Sequence, residues 1–265
     1  MSVAQARRAL IGTASAPYRR SGRFAWHFAR AKLRRDPVFT ALFEQGWIPN
    51  RARLLDLGCG QGLLAAWLLS ATQVWDQGAW PAMWPAPPSS VRVRGIELMP
   101  ADVRRAQAAL GAKAQIEYAD IREAGFGKAD VVVILDVLHY MDYAAQDSVL
   151  MRVRAALEPS GVLLLRVGNA AAGLPFCISC WIDRAVTVAR GHRPGRLYCR
   201  SLTDWRSVLE RLGFNVEGHP MSAGTPFANV LLVCRLSGTA TVNRSELNHG
   251  GHGGHGGHGG RQIPI

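Results

Sequence analysis

A glycine-rich turn follows the first strongly apolar run of the sequence and is its clearest candidate for chemistry. Residues 54–62 read Leu-Leu-Asp-Leu-Gly-Cys-Gly-Gln-Gly, and a helical pattern begins directly after them. In an open α/β sheet such a turn lies beyond the carboxyl ends of the strands, where ligands bind, and glycines let a ligand approach the backbone. Asp56 would repel a pyrophosphate but attract a cationic ligand. The turn therefore favours a positively charged cofactor over a dinucleotide.

Apolar strand-like runs alternate with helical patterns through most of the chain. Strands are predicted at 53–57, 91–97, 114–118, 130–135, 161–167, 214–217 and 229–236. Helices are predicted at 63–69, 101–110 and 145–157, the last ended by a turn at 158–161, and a final helix begins at Ser201 with Asp204 and ends at Gly213. Strands that alternate with helices predict βαβ units. The predicted fold class is α/β, with a doubly wound, mostly parallel seven-stranded sheet and helices on both faces.

The first 50 residues are predicted to form a basic helical cap before the main domain, which spans 51–236. Apolar residues of the cap recur near the helical period at Phe24, Ala25, Phe28, Ala29 and Leu33. Basic residues fill the positions between them, at Arg30, Lys32, Arg34 and Arg35. Residues 1–53 contain eleven Lys or Arg against two acidic residues. Such clustered charge attracts RNA, an anionic membrane surface or an acidic carrier protein, or it forms a solvated helix face.

Three further segments lack a regular pattern. Residues 71–90 contain three Trp and four Pro and are predicted to form an irregular loop. Residues 168–200, which contain Phe176, Trp181, His192 and Tyr198, are predicted to form a lid after the fifth strand. Residues 237–265 are predicted to be a disordered tail. The four histidines of the tail are spaced by glycine pairs and would bind a metal only weakly, so no specific metal site is predicted.

The nine residues of the glycine turn resemble motif I of the class I S-adenosylmethionine-dependent methyltransferases, and later segments match that family in order over about residues 50–236. The resemblance implies S-adenosylmethionine as the cofactor. It implies that Glu97, at the end of the second strand, accepts hydrogen bonds from both ribose hydroxyls, and that Asp120 with Ile121 meets the adenine. A turn or helix-capping role is the alternative for Asp120. The cofactor-binding residues implied are Asp56, Gly58, Cys59, Gly60, Gly62, Glu97, Leu98, Asp120, Ile121 and Asp136.

The segment after the fourth predicted strand, Asp136-Val137-Leu138-His139-Tyr140, resembles the family segment that faces the methyl group and the acceptor. His139 and Tyr140 are therefore the candidate catalytic residues. Histidine titrates near neutral pH, which suits a base that takes a proton from a weak nucleophile. A positioning or packing role is the alternative for His139. The Pro-Pro-aromatic sequence of relatives that methylate DNA or glutamine does not occur here, which favours the small-molecule branch.

Composition indicates the redox state of the cysteines and the location of the protein. The chain has a net charge of +12 and five cysteines, an odd number without scaffold-like spacing, which indicates reduced thiols. No run of about 18 apolar residues occurs, so secretion and membrane spanning are disfavoured. The expected location is the cytoplasm, with peripheral contact to the inner face of the membrane as a further option.

The sequence thus predicts an enzyme that transfers a methyl group from S-adenosylmethionine to an oxygen or carbon nucleophile. The expected acceptor is small, apolar or carrier-bound, of aromatic, acyl or lipid-like character. Expected partners of the basic cap are an acidic carrier protein or an anionic membrane surface, with RNA less favoured. Two alternatives stay open: an RNA methyltransferase, favoured by the basic charge, and a cofactor-binding protein without catalytic activity.

Overall fold

Seven strands form one sheet within the residues that the computed structural model describes, which are 1–168, 197–222 and 229–238. The strands are β1 (Arg53–Leu57), β2 (Arg92–Glu97), β3 (Gln115–Tyr118), β4 (Ala129–Leu135), β5 (Leu157–Gly168), β6 (Phe214–Pro220) and β7 (Asn229–Leu236). Their order is β3-β2-β1-β4-β5-β7-β6. Strands β1 to β5 are parallel, and β7 is antiparallel to β5 and β6. The predicted doubly wound, mostly parallel sheet is confirmed.

Helices cover both faces of the sheet. They are α1 (Val3–Ser15), α2 (Arg23–Arg35), α3 (Pro37–Glu44), α4 (Leu63–Asp76), α5 (Pro100–Leu110), α6 (Tyr143–Ala156) and α7 (Leu202–Arg211). Central parallel strands bury both faces and therefore read as continuous apolar runs. In β4, Val131 and Val133 join a core formed with α1 to α5, whereas Val132 and Ile134 join a second core with α6 and α7.

The ends of α7 match the local sequence signals. The Ser201 hydroxyl accepts a hydrogen bond from the Asp204 amide (3.1 Å), and the Asp204 carboxylate accepts one in return from the Ser201 amide. Gly213 follows the helix with a φ of +83°, a backbone conformation that favours glycine.

The predicted loop at 71–90 is wrong in its first part, because α4 continues to Asp76. Ala71 and Val74 are fully buried and extend the apolar stripe of the helix beyond residue 69. The prolines begin only at Pro81, so they do not interrupt it. The rest of the segment is packed, since Trp80 and Trp84 are buried beside Phe43 of α3, with ring centroids 5.1 and 6.4 Å away.

The predicted turn at 158–161 is also wrong, because these residues belong to β5. Leu157 pairs with Ala129, and the register then shifts before Val131 pairs with Val162. A bulge therefore absorbs the residues that resemble a turn. Helix α6 starts two residues before the predicted position, since the Asp142 side chain caps it by accepting from the Ala145 amide (2.8 Å).

The N-terminal helices pack on the sheet, but the apolar stripe predicted for α2 is partly wrong. Ala25, Ala29 and Leu33 are fully buried, whereas Phe24 is 54% exposed. Phe24 lies instead against Phe28, with ring centroids 6.1 Å apart.

Most of the predicted lid (168–200) and most of the predicted tail (237–265) lie outside the described residues. In the ranges described, no helix combines the length and the apolar character needed to cross a membrane.

Candidate functional site

The order of the sheet reverses between β1 and β4, and the turns after these two strands touch. Open α/β sheets bind ligands at such a reversal. Gly58 follows β1 with a φ of +74°, and a Cβ at this position would overlap the Val137 side chain that follows β4. The sequence-predicted cofactor turn and the predicted acceptor segment are therefore in contact.

Glu97, at the end of β2, holds the glycine turn. Its Oε2 accepts a hydrogen bond from the Gly60 amide (2.8 Å), and its Oε1 accepts one from the Met99 amide (2.8 Å). Glu97 is 8% exposed, and burial raises the pKa of its carboxyl group. A carboxylate has about four lone-pair sites, so each oxygen can accept a further bond.

Asp56 lies in β1 and is almost completely buried. Burial, and then the charge of Glu97, raise the pKa of Asp56 to about 7. Two buried carboxyl groups without a cation disfavour each other's ionisation. The pair therefore forms a site that a positively charged ligand would stabilise.

Gly62 and Cys59 support the turn through packing. Gly62 has a φ of +72°, and a Cβ there would lie 2.6 Å from the Leu110 side chain, so the glycine lets α4 approach α5 closely. The buried Cys59 thiol lies against Gly95 of β2, and burial raises its pKa. Cys59 is thus a neutral packing residue on the inner side of the turn.

Gln61 and Tyr18 belong to the same region, although no sequence signal singled them out. Gln61 is 2% exposed, and neither polar atom of its side-chain amide has a hydrogen-bond partner among the described residues. Such a buried group costs about 1–3 kcal/mol unless a ligand satisfies it. The Tyr18 hydroxyl donates to the Gln61 carbonyl (2.7 Å) and joins the N-terminal helices to the turn.

Asp120 follows β3 and is held locally. Its carboxylate accepts hydrogen bonds from the backbone amide (2.8 Å) and guanidinium of Arg122, and its pKa is lowered by that pairing. This is the turn arrangement that the sequence left open as an alternative. Ile121 is buried in the core, whereas Leu98 is 48% exposed beside Glu97.

Asp136 belongs to a charge network that joins the N-terminal helices to the end of β4. Arg166 of β5 is 2% exposed and donates to Asp136 through Nε (2.8 Å) and Nη2, and to Asp36 through Nη1 (2.5 Å). Lys32 lies 2.8 Å from Asp36 and 3.8 Å from Asp136. Asp136 itself has a φ of +59°, which is unusual for a residue other than glycine. The network therefore fixes the strained start of the predicted acceptor segment.

His139 and Tyr140 lie on a short 3-10 turn after β4, with their ring centroids 4.2 Å apart. Tyr140 is 49% exposed and Tyr143 is 47% exposed. Tyr198, near the end of the predicted lid (168–200), donates its amide to the His139 carbonyl (2.9 Å), and its ring lies edge-on to Tyr143 at 5.6 Å. An aromatic surface thus adjoins the end of β4.

Gln146 of α6 supports this surface from the buried side. It is fully buried, and its Nε2 donates to the carbonyl groups of Leu138 (3.1 Å), Met141 (3.1 Å) and Tyr198 (2.8 Å). One side chain therefore fixes both the turn after β4 and the segment at Tyr198 that lies against this turn.

A family model described as a methyltransferase domain matches residues 25–219. Carboxy-S-adenosyl-L-methionine synthase from Chromohalobacter salexigens is 29% identical over 119 residues, and the match spans 43% of this chain and only 39% of that protein.

Solved methyltransferases share the fold. Magnesium protoporphyrin IX methyltransferase from Synechocystis, determined with bound S-adenosylhomocysteine, has a TM-score of 0.52 and 19% identity, covering 86% of this chain and 97% of that one. An O-methyltransferase family protein from Burkholderia thailandensis has a TM-score of 0.54 and 20% identity, and the match covers 83% of this chain and 62% of that one. Human N-acetylserotonin methyltransferase has a TM-score of 0.53 and 16% identity, and the match covers 85% of this chain and 59% of that one.

Proposed function

The chain belongs to the methyltransferase-domain family, and from this membership we propose that it transfers a methyl group from S-adenosylmethionine to an oxygen or carbon nucleophile. The acceptor is small and apolar, or the apolar group of a carrier-bound molecule. The observation that carries the proposal is the buried pair Asp56 and Glu97 beside the glycine turn, which suits a cationic nucleoside.

The residues of the site fit that cofactor. Gly60 has a φ of +55° and open space where a side chain would stand, so a ligand can lie against the turn. Glu97 would accept hydrogen bonds from the ribose hydroxyls, Asp56 would attract the ammonium group, and the unsatisfied Gln61 amide would gain a partner. Leu98 offers an exposed apolar side chain to the adenine.

Three other residues that the family resemblance implies would support the cofactor through packing or positioning. Ile121 would pack beneath the adenine, Asp120 would shape the turn that contacts it, and Asp136 would hold the acceptor segment in place. In this proposal Asp120 and Asp136 are positioning residues, because Arg122 and Arg166 already occupy their carboxylates.

Methyl transfer is an in-line displacement, so the protein chiefly aligns the nucleophile and, for a weak one, takes its proton. When bound, S-adenosylmethionine supplies the electrophilic methyl carbon. His139 is the proposed base, and Tyr140 lines the acceptor side with its exposed ring. The aromatic surface favours an apolar acceptor.

The affinity for the cofactor product S-adenosylhomocysteine should rise with pH. Because the free Asp56 carboxyl has a pKa of about 7, the ammonium group of the ligand must displace a proton from it at lower pH. Affinity should therefore be about tenfold weaker at pH 6 than at pH 8. The stability of the ligand-free protein should instead fall as the pH rises from about 4 to 7. In that range Asp56 holds a proton in the native state but has lost it in the unfolded state. Isothermal calorimetry and urea unfolding measure the two trends.

Asp56→Asn is the control for this pH dependence. The amino group of the ligand titrates equally with both proteins, so the difference between their slopes isolates Asp56. Equal slopes for wild type and Asp56→Asn would contradict the proposed contact.

Label transfer tests the function itself. Purified protein is incubated with methyl-labelled S-adenosylmethionine and fractionated extract of the source cell, and label should enter small-molecule, lipid or carrier-bound fractions. His139→Gln should lower kcat about 100-fold or more while the affinity for S-adenosylhomocysteine is kept. Label in RNA would support the RNA alternative, and cofactor binding without transfer to any fraction would support the non-catalytic one.

A further inference from the structure

We propose that α2 and the turn before it form a docking face for the surface of an anionic lipid bilayer. This basic aromatic face consists of Arg19, Arg20, Arg23, Phe24, Trp26, Arg30, Arg34 and Arg35. The face lies outside the cofactor site, and its binding to lipid does not depend on methyl transfer.

The charge of the face is uncompensated. Residues 1–35 contain nine Lys or Arg and no Asp or Glu. The six arginines of the face are all exposed, and none forms an ion pair with a described residue. Each basic residue near an anionic bilayer strengthens binding by about fivefold, so six on one face are a substantial attraction.

Aromatic rings lie among these charges. Phe24 is 54% exposed, with the Arg105 guanidinium 5.0 Å from its ring centroid. Two guanidinium groups lie over the Trp26 ring, those of Arg19 (5.1 Å from the centroid) and Arg30 (5.2 Å). At a bilayer surface, arginines contact the phosphates while aromatic rings enter the boundary between headgroups and acyl chains.

The same contacts disfavour the other anionic partners. A nucleic acid base stacks on the open face of a ring, but Phe24 is already stacked with Phe28 and approached by Arg105, and two guanidinium groups already lie over the Trp26 ring. An acidic protein would match the charge but would give the exposed ring of Phe24 no apolar environment. A bilayer surface accommodates both features.

The position of α2 connects the face to the site. Its 13 residues span about 20 Å. The side turned away from solvent carries Ala25, Ala29 and Leu33 in the core, and Lys32 reaches Asp136 at 3.8 Å. The bilayer and the acceptor end of β4 would thus lie on either side of one helix. That arrangement suits an apolar acceptor resident in the membrane, a step that rests on the proposed function.

Vesicle sedimentation tests the face with the full-length chain. Partition into phosphatidylcholine vesicles that contain phosphatidylglycerol should exceed partition into pure phosphatidylcholine vesicles at least tenfold and should weaken as salt is added. The triple variant Arg23→Glu/Arg30→Glu/Arg34→Glu should lose about 100-fold in partition. Phe24→Ala should lose severalfold with an unchanged salt dependence, which tests the face even if the triple variant does not fold.

A matched control makes the same change of charge elsewhere. Arg92→Glu/Lys113→Glu/Arg211→Glu replaces three exposed basic residues outside the N-terminal helices and should bind vesicles within about threefold of wild type. An equal loss in this control would show a general charge effect and overturn the proposal. So would equal binding to neutral vesicles, or tight binding to single-stranded RNA or an acidic carrier protein without partition into anionic vesicles.

Discussion

Arg166→Met is expected to lower the free energy of unfolding by about 3–5 kcal/mol, because removal of one partner leaves buried charge uncompensated. Arg166 is 2% exposed and bridges Asp36, between α2 and α3, to Asp136 after β4. Methionine is a flexible side chain that fills the space, so the loss would reflect charge more than a cavity. Urea unfolding followed by circular dichroism measures the change.

Two companion variants separate charge from structure. Arg166→Lys keeps the charge but lacks the planar fork that donates to both carboxylates, so it should lose less stability. Asp36→Asn added to Arg166→Met removes the stranded carboxylate and should recover part of the loss. If the losses of Asp36→Asn and Arg166→Met simply add, the two residues are not coupled and the bridge does not stabilise the fold.

The pH dependence of stability gives an independent check on this network. Burial alone would raise the pKa of Asp36, but the charges of Arg166 and Lys32 hold it well below its usual range. The carboxylate therefore contributes stability above about pH 4, and that contribution is lost as the pH falls toward the lowered value. Arg166→Met should weaken this acid-dependent loss.

Much of the sheet could be predicted because strand and turn signals are local. The bounds of β1 and β7 agree with the predicted 53–57 and 229–236, and both lie in apolar runs next to turn residues. Glu97 was placed in the site only by the family resemblance, but its contact with Gly60, 37 residues away, has a topological cause, since the second parallel strand ends beside the turn after the first.

Contacts between distant, irregularly spaced residues could not be predicted in this way. Asp36 and Arg166 are 130 residues apart, and Tyr18 and Gln61 are 43 apart. Arg166 interrupts the apolar run at 162–167, which indicates a buried charge that needs a partner. The run does not indicate where that partner lies, because the partner is set by how the N-terminal helices pack on the sheet.

Glu97→Ala should weaken the binding of S-adenosylhomocysteine by about 100-fold or more. The substitution removes the proposed acceptor of two ribose hydroxyls, and each hydrogen bond to a charged group is worth about 1.5–3 kcal/mol. It also frees the Gly60 amide, which Glu97 now holds at 2.8 Å, so the turn loses its fixed position. Glu97→Gln should rescue little, because its amide nitrogen would face a backbone N–H that needs an acceptor. Isothermal calorimetry measures both variants.

Glu117→Gln is the matched control for this prediction. Glu117 lies on β3 beside Ile96 of β2, and its carboxylate forms a partly exposed pair with Arg94. Such pairs contribute little, so the control should bind S-adenosylhomocysteine as wild type does. A folded Glu97→Ala protein with wild-type affinity would place the cofactor elsewhere, because this carboxylate is the group that joins the glycine turn after β1 to the end of β2. A loss of affinity confined to Glu97 variants would in turn make the end of β2 part of the cofactor site.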